Sequence, residues 1–409
     1  RRAEVDAILV PVRVKLVQQG RIGRVRSVRN REYFKRKAST IIGGKNMIDV
    51  RTLAGKLLRE NMGYQHDQPL TIVFDETTHW LAGALRREAL ADNCSVLRTY
   101  NLDDNKRPLK DIPEGLEGML KGAERDAREN KTSHVLFMAK RTPQDAVVDG
   151  QTVTEVSFTR ALSKRVLSFS KFGNLPEITP TLLASAYDVR NDPSFSAKLF
   201  EYLKTIQGVH ITTEMGTDVL VTFDHEKHPF WNSDGIAKVG TYCNPIPAEV
   251  YTYPARVEGR IVLDATYSAL GKMERFKGQP EKIPEALART PITWVVENDS
   301  LGGRITNVLC DDKEMLAHVN GQVFVKKDWN RIGEIGFPAN IAILEGALTG
   351  STLLDEKGRV HFANGGGYPP NNPPYEHPGQ HCDGLLEKPT ITVFGEPSVF
   401  VMKHGKYVF

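Results

Sequence analysis

The pattern of hydrophobic and polar positions divides the chain into two unlike halves. In the first half, between residues 48 and 205, short apolar runs alternate with stretches whose apolar residues recur at helical spacing. The predicted strands are Leu70–Asp75, Ser95–Tyr100 and His134–Ala139, and the predicted helices are Met47–Arg59, Thr78–Leu90 and Leu116–Asn130. Strands that alternate with helices indicate right-handed crossovers between parallel strands. We therefore predict an open parallel α/β domain over residues 48–205.

The periodicity changes after Pro193. A helix is predicted at Phe195–Ile206, and beyond it short alternating runs follow one another with few helices between them. These runs predict the strands His210–Glu214, Asp218–Phe223, Arg260–Thr266, Ile292–Glu297, Arg304–Leu309 and Gln322–Val325, and a closing hairpin of Val399–Met402 and Lys406–Phe409. The polar segment Gly271–Thr290 is interrupted by Pro and Gly and is predicted to be a surface insertion. Residues 206–409 are thus predicted to form a β-rich α+β domain.

Composition and charge narrow the function classes. The 409 residues carry a formal net charge of +4, which is small for this length, so the chain as a whole is not predicted to bind polyanions. Its four cysteines form no Cys-x-x-Cys pair, so neither a disulfide framework nor a cysteine zinc site is indicated. No apolar run approaches the length of a membrane span. We predict no membrane partner and a cytoplasmic location, which is the usual compartment of free cysteines.

The first 47 residues differ in charge from the rest. They carry 13 Lys or Arg against three acids. A basic extension of this kind could contact nucleic acid. Its aromatic residues, however, are confined to the adjacent pair Tyr33 and Phe34 and do not alternate with the arginines. We therefore predict a solvated extension, residues 1–47, that packs on a neighbouring subunit, and no nucleic-acid partner.

Residues with metal-ligand chemistry converge near the C-terminal end. His381 and Asp383 are two residues apart, so a strand would place both side chains on one face. The run Val360–Ala363 predicts a short buried strand that contains His361 and leads into three glycines, where the backbone can approach an ion or a substrate closely. Imidazole and carboxylate ligands suit Zn, Mn, Co or Fe(II). A single histidine on an apolar strand is usually a hydrogen-bonded core residue, but several ligand types in one stretch favour a metal site.

Four short segments of the second half follow one another in an order shared with a known family. They are Thr217-Asp218 before Trp231, the Asn-Pro and Glu-Val segment from Asn244 to Pro254, Gly333-Glu334-Ile335-Gly336, and the run Thr352 to Gly365 followed by Tyr368 and His381-x-Asp383-Gly384. In this order they resemble the metallo-aminopeptidases of the thermophilic aminopeptidase T type. The resemblance covers roughly residues 210–395, and the first half is similar to that family only in its α/β pattern.

The resemblance implies a dinuclear metal centre in a hydrolase. The implied ligands are Glu249, Glu334, His361, Tyr368, His381 and Asp383. Glu356, five residues before His361, matches a further functional glutamate, which would act as general base or bridging ligand. The implied cofactors are two divalent metal ions, Zn, Co or Mn, that activate a water. The implied reaction removes N-terminal amino acids from a peptide or cleaves a related small amide, and the implied assembly is a homodimer.

Two other functions stay open on the sequence. Ring-cleaving dioxygenases of the 2,5-dihydroxypyridine type, which share the aminopeptidase T-like fold, resemble this chain in the C-terminal His-x-Asp. By that resemblance His361, His381 and Asp383 would form a facial triad for one Fe(II). The presence of both Glu249 and Glu334 favours two metals and hydrolysis. A binding protein that keeps the fold without activity is the third hypothesis, and the complete ligand set argues against it.

Overall fold

The computed structural model describes most of the chain from Asp49 to Val408. The described residues are 49–408 without 108, 130, 140–145, 149–150, 154, 177, 189–193, 247–248, 341–342, 344–347, 349–354 and 368–380. The basic extension over residues 1–47 therefore lies outside the described residues. Among the helices that are described, none is both long and apolar enough to cross a membrane.

A parallel sheet organises the first half. Its strands are β1 (Leu70–Phe74), β2 (Leu97–Asn101), β3 (Ser133–Phe137), β6 (Ser170–Asn174) and the short edge strand β10 (Tyr242–Cys243). The helices of this half are α1 (Val50–Lys56), α2 (His79–Ala91), α3 (Glu114–Arg128), α4 (Glu155–Val166) and α5 (Pro180–Ala186), and a separate hairpin pairs β4 (Ala146–Val148) with β5 (Gln151–Val153). The strand order is β10–β6–β3–β1–β2, and every neighbouring pair is parallel.

Both faces of this sheet are covered, as the near-continuous apolar runs of its strands require. Ile72 and Val73 are neighbours in β1, yet they belong to two different hydrophobic cores. Strand side chains alternate between faces, so one core lies on each side of the sheet. The structure confirms the predicted α/β architecture of this half.

Among the described residues, two antiparallel sheets and three helices pack together in the second half, and the first of these helices lies before residue 206. The strands are β7 (Gly208–Thr212), β8 (Asp218–Thr222), β9 (Trp231–Ser233), β11 (Glu249–Thr252), β12 (Arg256–Leu263), β13 (Thr266–Tyr267), β14 (Ile292–Asp299), β15 (Gly302–Leu309), β16 (Ile332–Pro338), β17 (His361–Gly365), β18 (His381–Leu385), β19 (Thr390–Val393), β20 (Glu396–Lys403) and β21 (Lys406–Tyr407). The helices are α6 (Phe195–Leu203), α7 (Ile283–Arg289) and α8 (Lys313–Val323). The six-stranded sheet has the order β13–β18–β17–β16–β11–β9, and the eight-stranded sheet has the order β15–β14–β12–β8–β7–β19–β20–β21.

The two antiparallel sheets share one hydrophobic core. Phe337 and Phe362 enter it from the six-stranded sheet, and Val219 and Trp294 enter it from the eight-stranded sheet. The predicted β-rich second half is therefore confirmed. The exact boundaries between the predicted domains stay a prediction.

The predicted strand Gln322–Val325 is wrong. Gln322 and Val323 are the last residues of helix α8, and Phe324 and Val325 follow it without forming a strand. The helix begins after Asp312, whose carboxylate accepts a hydrogen bond from the Met315 backbone at 2.9 Å. The buried side chains of the helix recur every four residues, and they are Met315, Val319 and Val323. Val323 therefore completes a helical face and does not belong to a strand.

The prediction that Gly271–Thr290 is a surface insertion is right for most of its side chains, which are exposed or half-buried, but it misses the residues that anchor the segment. The segment forms 3-10 turns and helix α7. Phe276, Ile283 and Leu287 are buried in the core of the second half. Pro and Gly mark the turns of this segment, but its apolar residues anchor it to the sheets.

Candidate metal centre

Three neighbouring strands of the six-stranded sheet bring acidic and imidazole side chains together. The register pairs Glu334 of β16 with Ala363 of β17, and Ala363 with Asp383 of β18. Residues in register on neighbouring strands share a face, so Glu334 and Asp383 flank the small side chain of Ala363. His361 and His381 each lie two residues before these positions in β17 and β18. They therefore project from the same face.

The opposite face of the same strands is apolar. Ile335, Phe337, Phe362 and Cys382 alternate with the polar residues and lie in the hydrophobic core of the second half. The packing of one face thus holds the strands that carry the polar side chains of the other. Successive side chains of a strand point to opposite faces, so the core residues lie on one face of the sheet and the site residues lie on the other.

Gly336 makes room for the imidazole of His361. The two residues are register partners across β16 and β17. A Cβ atom at Gly336 would lie 2.0 Å from Cε1 and 2.1 Å from Nε2 of His361. Any side chain here would collide with the ring, so the close approach of His361 requires glycine.

Backbone carbonyl groups orient both imidazoles. Nδ1 of His361 donates a hydrogen bond to the carbonyl oxygen of Arg359 at 3.0 Å. Nδ1 of His381 donates to the carbonyl oxygen of Gly366 at 2.5 Å. In both rings Nε2 is then the nitrogen that faces the carboxylates. Hydrogen bonds of this kind fix the tautomer in which Nε2 can bind a metal.

The buried Glu334 and His361 and the half-buried Asp383 form a group of metal-ligand type. One ligand atom from each lies within 4.8 Å of the others. Nε2 of His361 is 3.4 Å from Oε1 of Glu334, and His381 adds its Nε2 at 3.0 Å from Oδ1 of Asp383. Metal bonds of about 2.0–2.2 Å to nitrogen and oxygen allow one cation to bind atoms at this spacing after small side-chain movements. The donor set therefore fits a divalent metal ion.

A second group of charges lies beside the first and contains a lysine. Lys357, in the turn before β17, is only 2% exposed. Its Nζ donates to Oε1 of Glu249 and lies 2.9 Å from Oε1 of Glu356. The other oxygen of Glu249, Oε2, is 3.5 Å from Nε2 of His361. Within the described part of the chain this oxygen accepts no hydrogen bond of good geometry. Glu249 thus connects the two groups.

Burial and charge shift the pKa values of these side chains. Burial lowers the pKa of His361, but its hydrogen bond with Glu334 and the charge of Glu249 raise it to about 9. Burial raises the pKa of Glu356 to about 8, although the ammonium of Lys357 acts in the opposite direction. Burial also lowers the pKa of Lys357, but the charges of Glu249 and Glu356 outweigh this effect and raise it above the ordinary value. These shifts share one cause, which is a buried site with an excess of carboxylates.

The structure brings together six of the seven predicted site residues. They are Glu249, Glu334, Glu356, His361, His381 and Asp383. Tyr368 lies outside the described residues. The sequence gives no sign that Lys357 belongs to the site, because it stands between Glu356 and Gly358 in a polar run that is typical of an exposed turn. The role of Gly336 was also missed, although this glycine ends the Gly-Glu segment around Glu334.

Comparison with known proteins identifies the fold of the chain. Neither a protein-family model nor a curated protein sequence matches it. Wild-type AmpT (aminopeptidase T) from Thermus thermophilus matches with a TM-score of 0.60 and 18% identity, over 88% of this chain and 99% of that chain. This chain has the same two-domain fold.

A dioxygenase has a comparable structure. The 2,5-dihydroxypyridine dioxygenase from Pseudomonas putida KT2440 matches with a TM-score of 0.57 and 15% identity, over 88% of this chain and 97% of that chain. An aminopeptidase and a dioxygenase thus share one fold with this chain. At such identities the likeness establishes the fold alone, and the choice between reactions depends on the residues of the site.

Proposed function

We propose that the chain is a metal-dependent hydrolase that removes N-terminal amino acids from peptides or cleaves a related small amide. The supporting observation is that Glu249 and Glu334 lie 3.5 Å and 3.4 Å from the same imidazole nitrogen of His361. An Fe(II) centre that activates oxygen needs two histidines and one carboxylate, and this site has more carboxylates than that. A carboxylate-rich set suits a cation that serves as a Lewis acid. The homodimer and the cytoplasmic location stay predictions.

Glu334, His361, His381 and Asp383 would hold the metal ion. A divalent ion at this position would polarise the substrate carbonyl group and lower the pKa of a bound water. The strands β16, β17 and β18 hold the four side chains in a fixed arrangement, and the two backbone carbonyls described above orient the imidazoles. A second divalent ion, the identity of the metal (Zn, Co or Mn) and a ligand role for Tyr368 stay predictions of the family resemblance.

Glu356 is proposed as the general base. As the water oxygen bonds to the carbonyl carbon, this carboxylate would accept the water proton, and it would return that proton to the amide nitrogen as the carbon–nitrogen bond breaks. Glu356 is 7% exposed and lies outside the Glu334, His361 and Asp383 group. Its contact with Lys357 at 2.9 Å holds the carboxylate in place beside Glu249. A positioned carboxylate that is not a member of the ligand group is suited to proton transfer.

One observation favours a second candidate, a ring-cleaving dioxygenase with one Fe(II). His361, His381 and Asp383 share one face of neighbouring strands, while Glu249 is engaged by Lys357. Two histidines and one carboxylate are the facial ligand set of non-haem iron oxygenases. The fold similarity to 2,5-dihydroxypyridine dioxygenase agrees with this candidate, but the position of Glu334 beside His361 favours hydrolysis.

An oxygen-dependence experiment tests the choice. Protein reconstituted separately with Zn, Co, Mn and Fe(II) is incubated with aminoacyl anilides and with dihydroxypyridines, both anaerobically and in air. We expect amine release with Zn, Co or Mn at the same rate in both atmospheres, because hydrolysis consumes no oxygen. Turnover of the aromatic diols alone, with iron and only in air, would reject the hydrolase. The Asp383→Asn variant serves as the control for activity that does not come from this site.

A further inference from the structure

Lys357 provides a fixed positive charge inside the site. Its ammonium group contacts Glu249 and Glu356, and all three side chains are buried, with 2%, 6% and 7% exposure respectively. Burial of an ammonium group lowers the free energy of unfolding unless carboxylates lie close to it. Two carboxylate partners satisfy that condition here. The arrangement therefore consists of one cation between two anions, which is also how a metal ion would be held.

Glu249 links this cation to the metal-ligand group. One carboxylate oxygen contacts Lys357, and the other lies 3.5 Å from Nε2 of His361. In a two-metal site a carboxylate that bridges the cations has one oxygen on each of them, with the cations about 3.5–4 Å apart. Glu249 has this two-sided arrangement, except that one of its partners is an ammonium.

We propose that the ammonium of Lys357 takes the place of a second metal ion, so that each chain holds one divalent ion at Glu334, His361, His381 and Asp383. The inference rests on the proposed metal centre and replaces the pair of ions that the family resemblance implies. Lys357 pairs with the two carboxylates that would otherwise form the second metal position. A divalent ion cannot enter between Glu249 and Glu356 unless the ammonium leaves.

The charges of the described site agree with one metal ion. The carboxyl groups of the site are the buried Glu249, Glu334 and Glu356 and the half-buried Asp383, and Lys357 supplies one positive charge. One divalent ion beside Lys357 gives three positive charges against these four carboxylates, which leaves one negative charge. Two divalent ions beside the same ammonium would give five positive charges against four carboxylates, so the second ion would reverse the sign of the net charge of the site rather than complete its compensation.

Metal stoichiometry tests the inference. The full chain is stripped of metal, titrated with Zn²⁺ and separately with Mn²⁺, and analysed by calorimetry and by elemental analysis after removal of unbound ion. We expect one ion per chain in the wild type. The Lys357→Met variant keeps the aliphatic bulk and removes the charge, and we expect it to bind a second ion at least about 10-fold more tightly than the wild type does. Lys388→Met, which removes an exposed ammonium, should bind one ion as the wild type does.

A double variant separates charge from misfolding. Glu249→Gln combined with Lys357→Met removes one negative and one positive charge, so we expect it to fold and to bind one ion. Two ions in the wild type, or one ion in a folded Lys357→Met variant, would overturn the role of Lys357 and leave the proposed hydrolase standing. If Lys357→Met does not fold, the wild-type count and the double variant decide the question. No bound ion in any of these proteins would reject the metal centre itself.

Discussion

Two groups of buried charge lie side by side on one face of the six-stranded sheet, and their carboxylates are balanced in different ways. Glu249 and Glu356 have the ammonium of Lys357 between them. Among the described residues, the ion-pair partners of Glu334 and Asp383 are the imidazoles of His361 and His381. The degree of burial does not distinguish the groups, because Glu334 is 5% exposed and Glu356 is 7% exposed.

This difference identifies the group that needs an ion from solution. A buried carboxylate is stable only when it is paired or bound to a metal. In the group of Glu249 and Glu356, the cation is the side chain of Lys357, so it is always present. The group around His361 gains a cation only by protonation of imidazole or by binding a metal. We therefore expect the two groups to respond differently when single charges are removed.

The largest effect is expected at Asp383. Asp383→Asn removes the negative charge that lies 3.0 Å from Nε2 of His381 and should weaken metal binding by more than the about 10–100-fold that is typical of lost outer-shell partners. Turnover should then fall to background. Asp218→Asn is a matched control, since Asp218 pairs with His210 at 2.7 Å on the surface. Metal titration and turnover of the two variants check the prediction, and equal metal affinity in both would contradict it.

Glu356→Gln should act on the rate and spare the metal. The amide keeps the shape of the side chain but cannot accept a proton, so turnover should fall by about 10²–10⁴-fold, the usual contribution of a general base. Because Glu356 belongs to the Lys357 group, the affinity for one divalent ion should stay within a few-fold of the wild type. Glu258→Gln, on the exposed side of β12, is the control. Loss of the metal would instead make Glu356 a ligand.

The fold could be predicted from local patterns wherever one face or both faces of an element are buried. Strand β1 reads as an apolar run because its side chains enter cores on both faces of the parallel sheet. The pattern failed near residue 323, where the last turn of helix α8 has too few residues to show helical spacing. It was incomplete at Gly271–Thr290, because the burial of Phe276 and Leu287 depends on sheets that lie elsewhere in the sequence.

The site was predictable in its ligands but not in its charge balance. The types and order of residues around His361, His381 and Asp383 carry the resemblance to a metal-dependent family. Glu249 comes close to these residues because β11 pairs with β16. This is a long-range contact that no local pattern specifies. Lys357 was missed for a related reason. Its neighbours along the chain are polar, and only tertiary structure encloses it.

Removal of the ammonium should have the next largest effect, and the measured quantity is stability. Without metal, Lys357→Met leaves Glu249 and Glu356 adjacent and uncompensated, and breaking a buried pair in this way costs about 3–5 kcal/mol of the free energy of unfolding. Lys388→Met removes an exposed lysine, 75% accessible, and should change that free energy by less than about 0.5 kcal/mol. Chemical denaturation of the metal-free proteins measures both values. A divalent ion should restore part of the stability of Lys357→Met, because ions stabilise the state that binds them.

The smallest of these effects is expected at Gly336, which controls the position of His361 without carrying any charge. A methyl group there would lie 2.0–2.1 Å from two ring atoms, so Gly336→Ala forces either the imidazole or strand β16 to move. Overpacking of this kind costs about 1–3 kcal/mol of the free energy of unfolding. The displaced ring should also lose its alignment with Glu249 and Glu334, which lowers metal affinity while the Lys357 group is unchanged. Gly271→Ala is the matched control, since a Cβ at Gly271 would contact nothing within 4 Å. Denaturation and metal titration of the two alanine variants separate the effects: a loss of stability with unchanged metal affinity would show that His361 is held for packing and not for binding an ion.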